Sequence, residues 1–452
     1  MIGITVFFLT ASHVAAAEVA GPRYSYFKDE NPYFLFSHRT PYNITANTFA
    51  IPIKFPTCTP VYIWSYIRHG TRYPDKDLIL KIKELPSVRD DAVKFHESDK
   101  GGLHPLDLTK LQKWQYNPLL EHYDVAGELT MDGVREIREL SKWFKLSLDK
   151  LLNYKKSENF VFQTSDANRS IESGIHFVNI LLDTTGYNRY ENNEIRKNKK
   201  LLRLTDNCPK YRAEEEKPSV LQELNLFKVS AEMNKTLRDV SRRLGYDTIL
   251  PYDVVEAIYV CCAYESGTNR KFKSPFCSAL RKEDFKVFEY REDLEMYWKK
   301  GYGNQFTEKV ACPLVRDMMR SLQFMVERNS TSRNAIRGSF YFGHLEMIMA
   351  MFVKFGLCFE EEPLRHDNYE KMKEDRKWRL SYNGTFASNL NAILLSCTSK
   401  KLSERYHVVF YFNGREIVLP KCGKSPCPWS ELKSHFETVF DESQCNADFC
   451  NE

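Results

Sequence analysis

Three apolar runs in this 452-residue chain end abruptly in polar or charged residues that an ordinary loop does not require. The first, "VYIWSYI" from Val61 to Ile67, is apolar at every position but Ser65 and predicts a strand covered on both faces. It breaks into "RHGTRYPD", which carries Arg68, His69, Gly70 and Arg72. In the second, "NFVFQTSDANRSIESGIHFVNILL", Phe160 to Gln163 predicts a strand, Ser165 or Asp166 a helix N-cap, and the residues from Ala167 onward an amphipathic helix. Arg169 then falls in the first helical turn. In the third, "GSFYFGHLEMIMAMFVKFGL", Ser339 to Phe342 predicts a buried strand, Gly343 a sharp turn and the residues through Leu357 a helix. His344 and Glu346 stand at that turn.

Buried strands followed by helices predict an α/β fold with a mostly parallel sheet. Ligands of open α/β sheets bind outside the carboxyl ends of the strands. If the three strands share one sheet, Arg68, His69, Arg72, Arg169, His344 and Glu346 meet at one edge. Three arginines offer planar forks of donors that match phosphate oxygens. Helix N-termini add backbone donors and a favourable dipole for an anion. A neutral imidazole beside that anion can attack phosphorus, and a carboxylic acid can protonate the departing alkoxide. Each feature alone has a plainer reading as a cap, a solvated side chain or an answer to a helix dipole. Three strand ends with compatible chemistry make the joint reading the stronger one.

Other phosphatase chemistries find little support. No cysteine has an arginine six positions later, as a C-x5-R nucleophile requires, the eleven histidines lack paired metal-ligand spacing, and no glycine-rich P-loop is visible. No metal or cofactor is expected. Lys plus Arg exceeds Asp plus Glu by only 65 to 60, so net charge does not call for nucleic acid. The basic run "RKNKKLLR", Arg196 to Arg203, is a candidate rim for a highly charged substrate, although such runs are usually solvated faces.

The opening "MIGITVFFLTASHVAAAEVA" reads as a signal peptide, residues 1–17, cut after Ala17. No later run reaches the ~20 apolar residues of a membrane span. Twelve cysteines and sequons at Asn43, Asn168, Asn234, Asn329 and Asn383 fit an oxidising route. Short separations suggest local bridges Cys422 to Cys427 and Cys445 to Cys450. Asn43, Asn234, Asn329 and Asn383 are the expected glycan acceptors, whereas Asn168, adjoining Arg169, is expected to stay bare. Export is the leading expectation, with the endoplasmic reticulum or lysosome lumen as alternatives.

"RHGTRYP" resembles the R-H-G-x-R-x-P signature of the histidine acid phosphatases, a branch of the histidine phosphatase superfamily, and within it the inositol polyphosphate phosphatases. Supporting stretches are "ELTMDGVREIREL", "EMYWKKGYG", "TFASNLNAILLSC" and "YFNGREIVLPKC", which together span almost all of the chain after Ala17. The resemblance implies His69 as nucleophile, Arg68, Arg72, Arg169 and His344 as phosphate ligands, and Glu346 as proton donor. The triplet is "HLE" where those relatives have His-Ala-Glu, so Leu345 replaces the expected alanine. The resemblance further implies Cys58 paired with Cys397, and Cys261 or Cys262 paired with Cys277. It also agrees with the architecture read from the residues: a mostly parallel mixed sheet flanked by helices, from residues 18–185 and 311–452, with a largely helical insertion at 186–310. The implied activity is hydrolysis of inositol polyphosphates through a phosphohistidine. The alternatives are a broad-specificity histidine acid phosphatase and a non-catalytic phosphate-ligand binding protein. Oligomeric state is left open.

Overall fold

The computed structural model describes residues 25–29, 35–46, 55–153, 157–184, 195–268, 273–328, 335–399 and 405–451. The expected signal peptide and the sequon at Asn329 lie outside them. Among the described residues the sheet has eight strands: β1 Cys58–Arg68, β2 Phe160–Thr164, β3 Arg196–Lys197, β4 Gly338–Gly343, β5 Asn389–Cys397, β6 Tyr406–Phe412, β7 Arg415–Ile417 and β8 Cys427–Pro428. Their order is β3-β2-β4-β1-β5-β6-β7, with β8 paired to β6. The first four in that order are mutually parallel, and β5 onward are antiparallel. The α/β class is as expected, and the three strands carrying the charged ends are neighbours.

Alternation along β1 explains why it is apolar throughout. Tyr62, Trp64 and Tyr66 enter one core, shared with helices Thr307–Arg328 and Leu345–Phe355. Ile63 and Ile67 enter a second, shared with helices Met131–Ser147 and Asn168–Leu181. Both faces are therefore covered, and even Ser65 is buried, donating to Asn391 Oδ1 at 2.6 Å.

Within residues 186–310 the described chain is almost wholly helical, but helix Thr307–Arg328 runs unbroken past residue 310. Helix Lys282–Lys300 is anchored to the later chain by a fully buried cluster in which Arg376 pairs with Glu289 at 2.9 Å and Asp293 at 2.6 Å. Removing one member of such a cluster strands an uncompensated charge.

Five disulfides are formed, including Cys58–Cys397, Cys262–Cys277 and Cys422–Cys427. Cys261 is a buried free thiol. The expected local bridge between Cys445 and Cys450 is not made. The C-terminal segment instead crosses two helices, so that Cys445 meets Cys312 and Cys450 meets Cys208, with Cα separations of 5.3 and 4.7 Å. Proximity in sequence lost to packing of the chain end.

The sequons differ in access. Asn234 is exposed, whereas Asn43 and Asn383 are half-buried and the Asn383 amide donates to Lys377 O at 2.7 Å. Asn168 is exposed although Arg169 beside it is not, because successive helical residues point about 100° apart. Burial of that turn is therefore no reason for Asn168 to stay bare; only crowding at the neighbouring site is.

Candidate active site

The parallel register brings the strand ends together: Arg68 lies beside Gly343, and Thr164 beside Phe342. Backbone bonds then lock the turns, with His69 N donating to Gly343 O and Ser165 N to Phe342 O, while Ala387 N reaches His69 O. Behind the Arg-His-Gly turn lies the N-terminus of helix Met131–Ser147. A Cβ on Gly70 would stand 2.5 Å from Gly133 O, and one on Gly133 would stand 2.1 Å from Thr71 O. Gly70 and Gly133 are required by this close approach of two backbones. Thr130 caps the helix by accepting from Gly133 N, and its hydroxyl donates to Thr71 O. Buried Glu136 accepts both the amide and the hydroxyl of Thr71.

His69 is 3% exposed, and its ring Nδ1 lies 2.8 Å from Gly70 O. A carbonyl can only accept, so Nδ1 carries the proton and Nε2 keeps its lone pair. Among the described residues Nε2 has no hydrogen-bond partner. Burial first, then the cationic fields of Arg68 and Arg169, holds the His69 pKa well below the usual histidine range. The ring is neutral and oriented, with the lone pair that a nucleophile requires.

His344 packs edge-on to it, with ring centroids 5.6 Å apart. It is the N-cap of helix Leu345–Phe355, whose C-terminus closes on Gly356 at φ 72°, two residues before the expected Leu357. Its amide donates to Tyr66 Oη at 3.0 Å, and its Nε2 lies 2.9 Å from Ser165 Oγ. Ser165 is thus committed to His344, and the N-cap of helix Asn168–Leu181 is Ala167, not Ser165 or Asp166. Burial, with Arg169 and Arg203 close by, pushes His344 down to about 3.

Arg68 donates through Nη1 to the carbonyls of His38 and Gly384 and lies 4.4 Å over the Phe386 ring, while its buried Nε has no partner among the described residues. Burial pulls it down to about 9 against the opposing field of Glu346, with Arg72 and Arg169 adding to the fall. It stays cationic at neutral pH. Arg169 is also lowered, by burial and by Arg72, and its buried Nε is unpartnered among the described residues. Arg72 is braced by Asp75 at 2.8 Å. Three arginines crowded together in a buried setting repel one another, an arrangement that a bound anion relieves.

Glu346, in the first turn of its helix, is half-buried and makes no hydrogen bond among the described residues. Its field acts on Arg68, Arg169 and Tyr66, which places it in the same cluster. All six expected residues are therefore together. Four supporting groups escaped the sequence reading: Tyr66 and Ser165, which hold His344; His38, whose carbonyl holds Arg68; and Glu136, which holds Thr71. Tyr66 and Ser165 occupy strand and turn positions, where their types suggest packing or capping rather than support of a site.

Known proteins place this geometry. The model of the histidine phosphatase superfamily (branch 2) matches residues 66–413. Multiple inositol polyphosphate phosphatase 1 of Drosophila melanogaster is 29% identical over 422 residues, covering 92% of this chain and 87% of its own. The human protein of that name is 28% identical, covering 86% and 81%. Among solved structures, the phytase from D. castellii superposes with a TM-score of 0.70 at 17% identity, covering 96% of this chain and 92% of its own. The Bifidobacterium longum multiple inositol polyphosphate phosphatase in complex with inositol hexasulfate gives 0.65 at 14% identity, covering 90% and 98%. With the model matching well over half of the chain, and a histidine and its arginines meeting at the sheet edge, this protein belongs to branch 2 of the histidine phosphatase superfamily.

Proposed function

We infer that this protein hydrolyses phosphomonoesters of inositol polyphosphates, inositol hexakisphosphate among them, through a phosphohistidine on His69. The observation that carries the reading is the free Nε2 of a neutral His69 beside Arg68, Arg72 and Arg169. The names and extensive coverage of the relatives support the substrate class.

In the first step Nε2 attacks phosphorus as the ester P–O bond breaks, and Glu346, protonated, gives its proton to the leaving alkoxide oxygen. Nδ1 keeps its proton and donates it to Gly70 O, which stabilises the cationic phosphoimidazole. In the second step water attacks phosphorus, Glu346 takes its proton, the P–N bond breaks and inorganic phosphate leaves. Arg68, Arg72 and Arg169 bind the transferring phosphoryl oxygens, and His344 donates a further hydrogen bond from Nδ1. No residue in this scheme calls for a metal.

Five disulfides suit passage through an oxidising compartment and support a secretory-pathway enzyme. The test is phosphate release by purified protein, without added metal, from inositol hexakisphosphate and from p-nitrophenyl phosphate. Efficient turnover of the first supports the reading. Turnover of the aryl ester alone makes the protein a broad acid phosphatase, and turnover of neither makes it a binder.

A further inference from the structure

The basic run from Arg196 to Arg203 does not end in open solvent. Strand β3 lies parallel to β2 at the sheet edge, pairing Gln163 with Arg196 and Thr164 with Lys197. Asn198 N continues the pairing to Thr164 O at 2.8 Å, and Asn198 Oδ1 then caps the single turn Lys199–Leu202 by accepting from Leu201 N. The chain is thereby delivered to the carboxyl end of the sheet, the end that bears His69 and Arg169. Two hydrogen bonds fix it there: Tyr66 Oη donates to Leu202 O at 3.1 Å and accepts from His344 N at 3.0 Å.

The next residue is Arg203. Its Nη1 lies 3.4 Å from Asp166 Oδ1, and Lys199 Nζ lies 3.2 Å from the other oxygen of the same carboxylate. Asp166 follows Ser165, the partner of His344, and precedes Arg169 by three residues. Arg203 is also held through Nε by Asp206 at 2.6 Å. Its field reaches both His344 and Arg169, which confirms the proximity. Arg196 and Lys197 are exposed and fit the plainer reading as a solvated face. Lys199 is exposed as well, but it and half-buried Arg203 converge on one carboxylate at the rim of a phosphate cradle.

We propose that Arg203, with Lys199 beside it, forms a second anion subsite that binds a non-scissile phosphate of the substrate, with Asp166 as the carboxylate that this phosphate displaces. This rests on the functional reading above and extends it. The contacts to Asp166 are long, and the Arg203 and Lys199 side chains are 28% and 53% exposed, so the carboxylate is weakly held and easily exchanged. A phosphate carries more charge and more acceptor oxygens than Asp166, and Arg203 can meet it with a planar pair of donors while Asp206 keeps its stem in place. An aryl phosphate has no second phosphate to place there. Arg203 therefore discriminates polyphosphates from simple esters without touching the reacting phosphorus.

Calorimetry with inositol hexasulfate and with inorganic phosphate tests this independently of turnover. Arg203→Ala should weaken hexasulfate binding about tenfold or more, the usual worth of a charge-assisted hydrogen bond. Inorganic phosphate affinity should change less than about twofold, because that ligand fills only the arginine cradle. Arg203→Lys should recover part of the loss. Asp166→Asn should tighten hexasulfate binding, since it removes the competing carboxylate, whereas a buttressing role predicts loss in both variants. Equal weakening of both ligands, or hexasulfate affinity unmoved by Arg203→Ala, overturns the subsite. Arg203-dependent binding in a protein that leaves inositol hexakisphosphate intact would instead remove the functional reading and keep the subsite.

Discussion

Ser165 Oγ lies 2.9 Å from Nε2 of His344 while also accepting, at 3.4 Å, from the amide of Ala167. The hydroxyl proton has no other acceptor among the described residues, so Ser165 donates to Nε2 and the imidazole proton resides on Nδ1. A serine beside β2 thus selects the tautomer of a histidine at the end of β4. Ser165→Ala should lower kcat by an order of magnitude or more, as ring misplacements of this kind do, with little change in thermal midpoint. Ser165→Thr should restore most of it. Unchanged kcat in the alanine variant would release His344 from this control.

The nucleophile can be caught directly. His69→Ala should lose turnover entirely while keeping its fold, and wild-type enzyme quenched during turnover should carry acid-labile, base-stable phosphate. Appreciable activity in the variant would end the phosphohistidine scheme.

Glu346 is tested by leaving-group chemistry. An inositol alkoxide needs a proton more than p-nitrophenolate does, so Glu346→Gln should lose about 10²–10⁴-fold on inositol phosphates and far less on the aryl ester. Equal losses on both would assign Glu346 to something other than the leaving group.

Acidification should destabilise the unliganded protein between about pH 6.5 and pH 3. His69 and His344 are held below the usual histidine value of about 6.5, so in this window the unfolded chain takes up protons that the folded chain refuses, and stability falls with pH. The expected slope from these two groups approaches ~1.4 kcal/mol per pH unit per histidine. His344→Asn should flatten the fall in thermal midpoint from pH 6.5 to pH 4; an unchanged profile would show that His344 contributes nothing to it.

Gly70 is a packing requirement as well as part of the signature. The added Cβ of Gly70→Ala would meet backbone, Gly133 O at 2.5 Å, which cannot turn aside as a flexible side chain can. Destabilisation of about 1–3 kcal/mol, with lost activity as the His69 turn shifts, is the expected result of denaturant unfolding. A variant as stable and active as wild type would mean that helix Met131–Ser147 yields at little cost.

The sequence by itself determined the three strand ends and the residue types they carry. Continuous apolar runs imply strands covered on both faces; Arg-His-Gly and His-Leu-Glu sit where such a strand must stop, and Asn-Arg opens the helix that follows one. That information is local, so the chemistry of His69, Arg169 and Glu346 could be argued before any fold was known. Tertiary structure decided what depends on distant chain. The pairing of Cys445 with Cys312 rather than Cys450 follows from the path of the chain end across two helices. Ser165 and Tyr66 act on His344 because β2 and β1 both flank β4, and their residue types alone point equally well to a cap and a core aromatic. The charge run ending at Arg203 reads as a solvated face until β3 pairs with β2 and carries it to the edge that bears His69 and Arg169. Side-chain chemistry is written residue by residue, but which groups share one dielectric and one field is fixed only when the sheet closes its register.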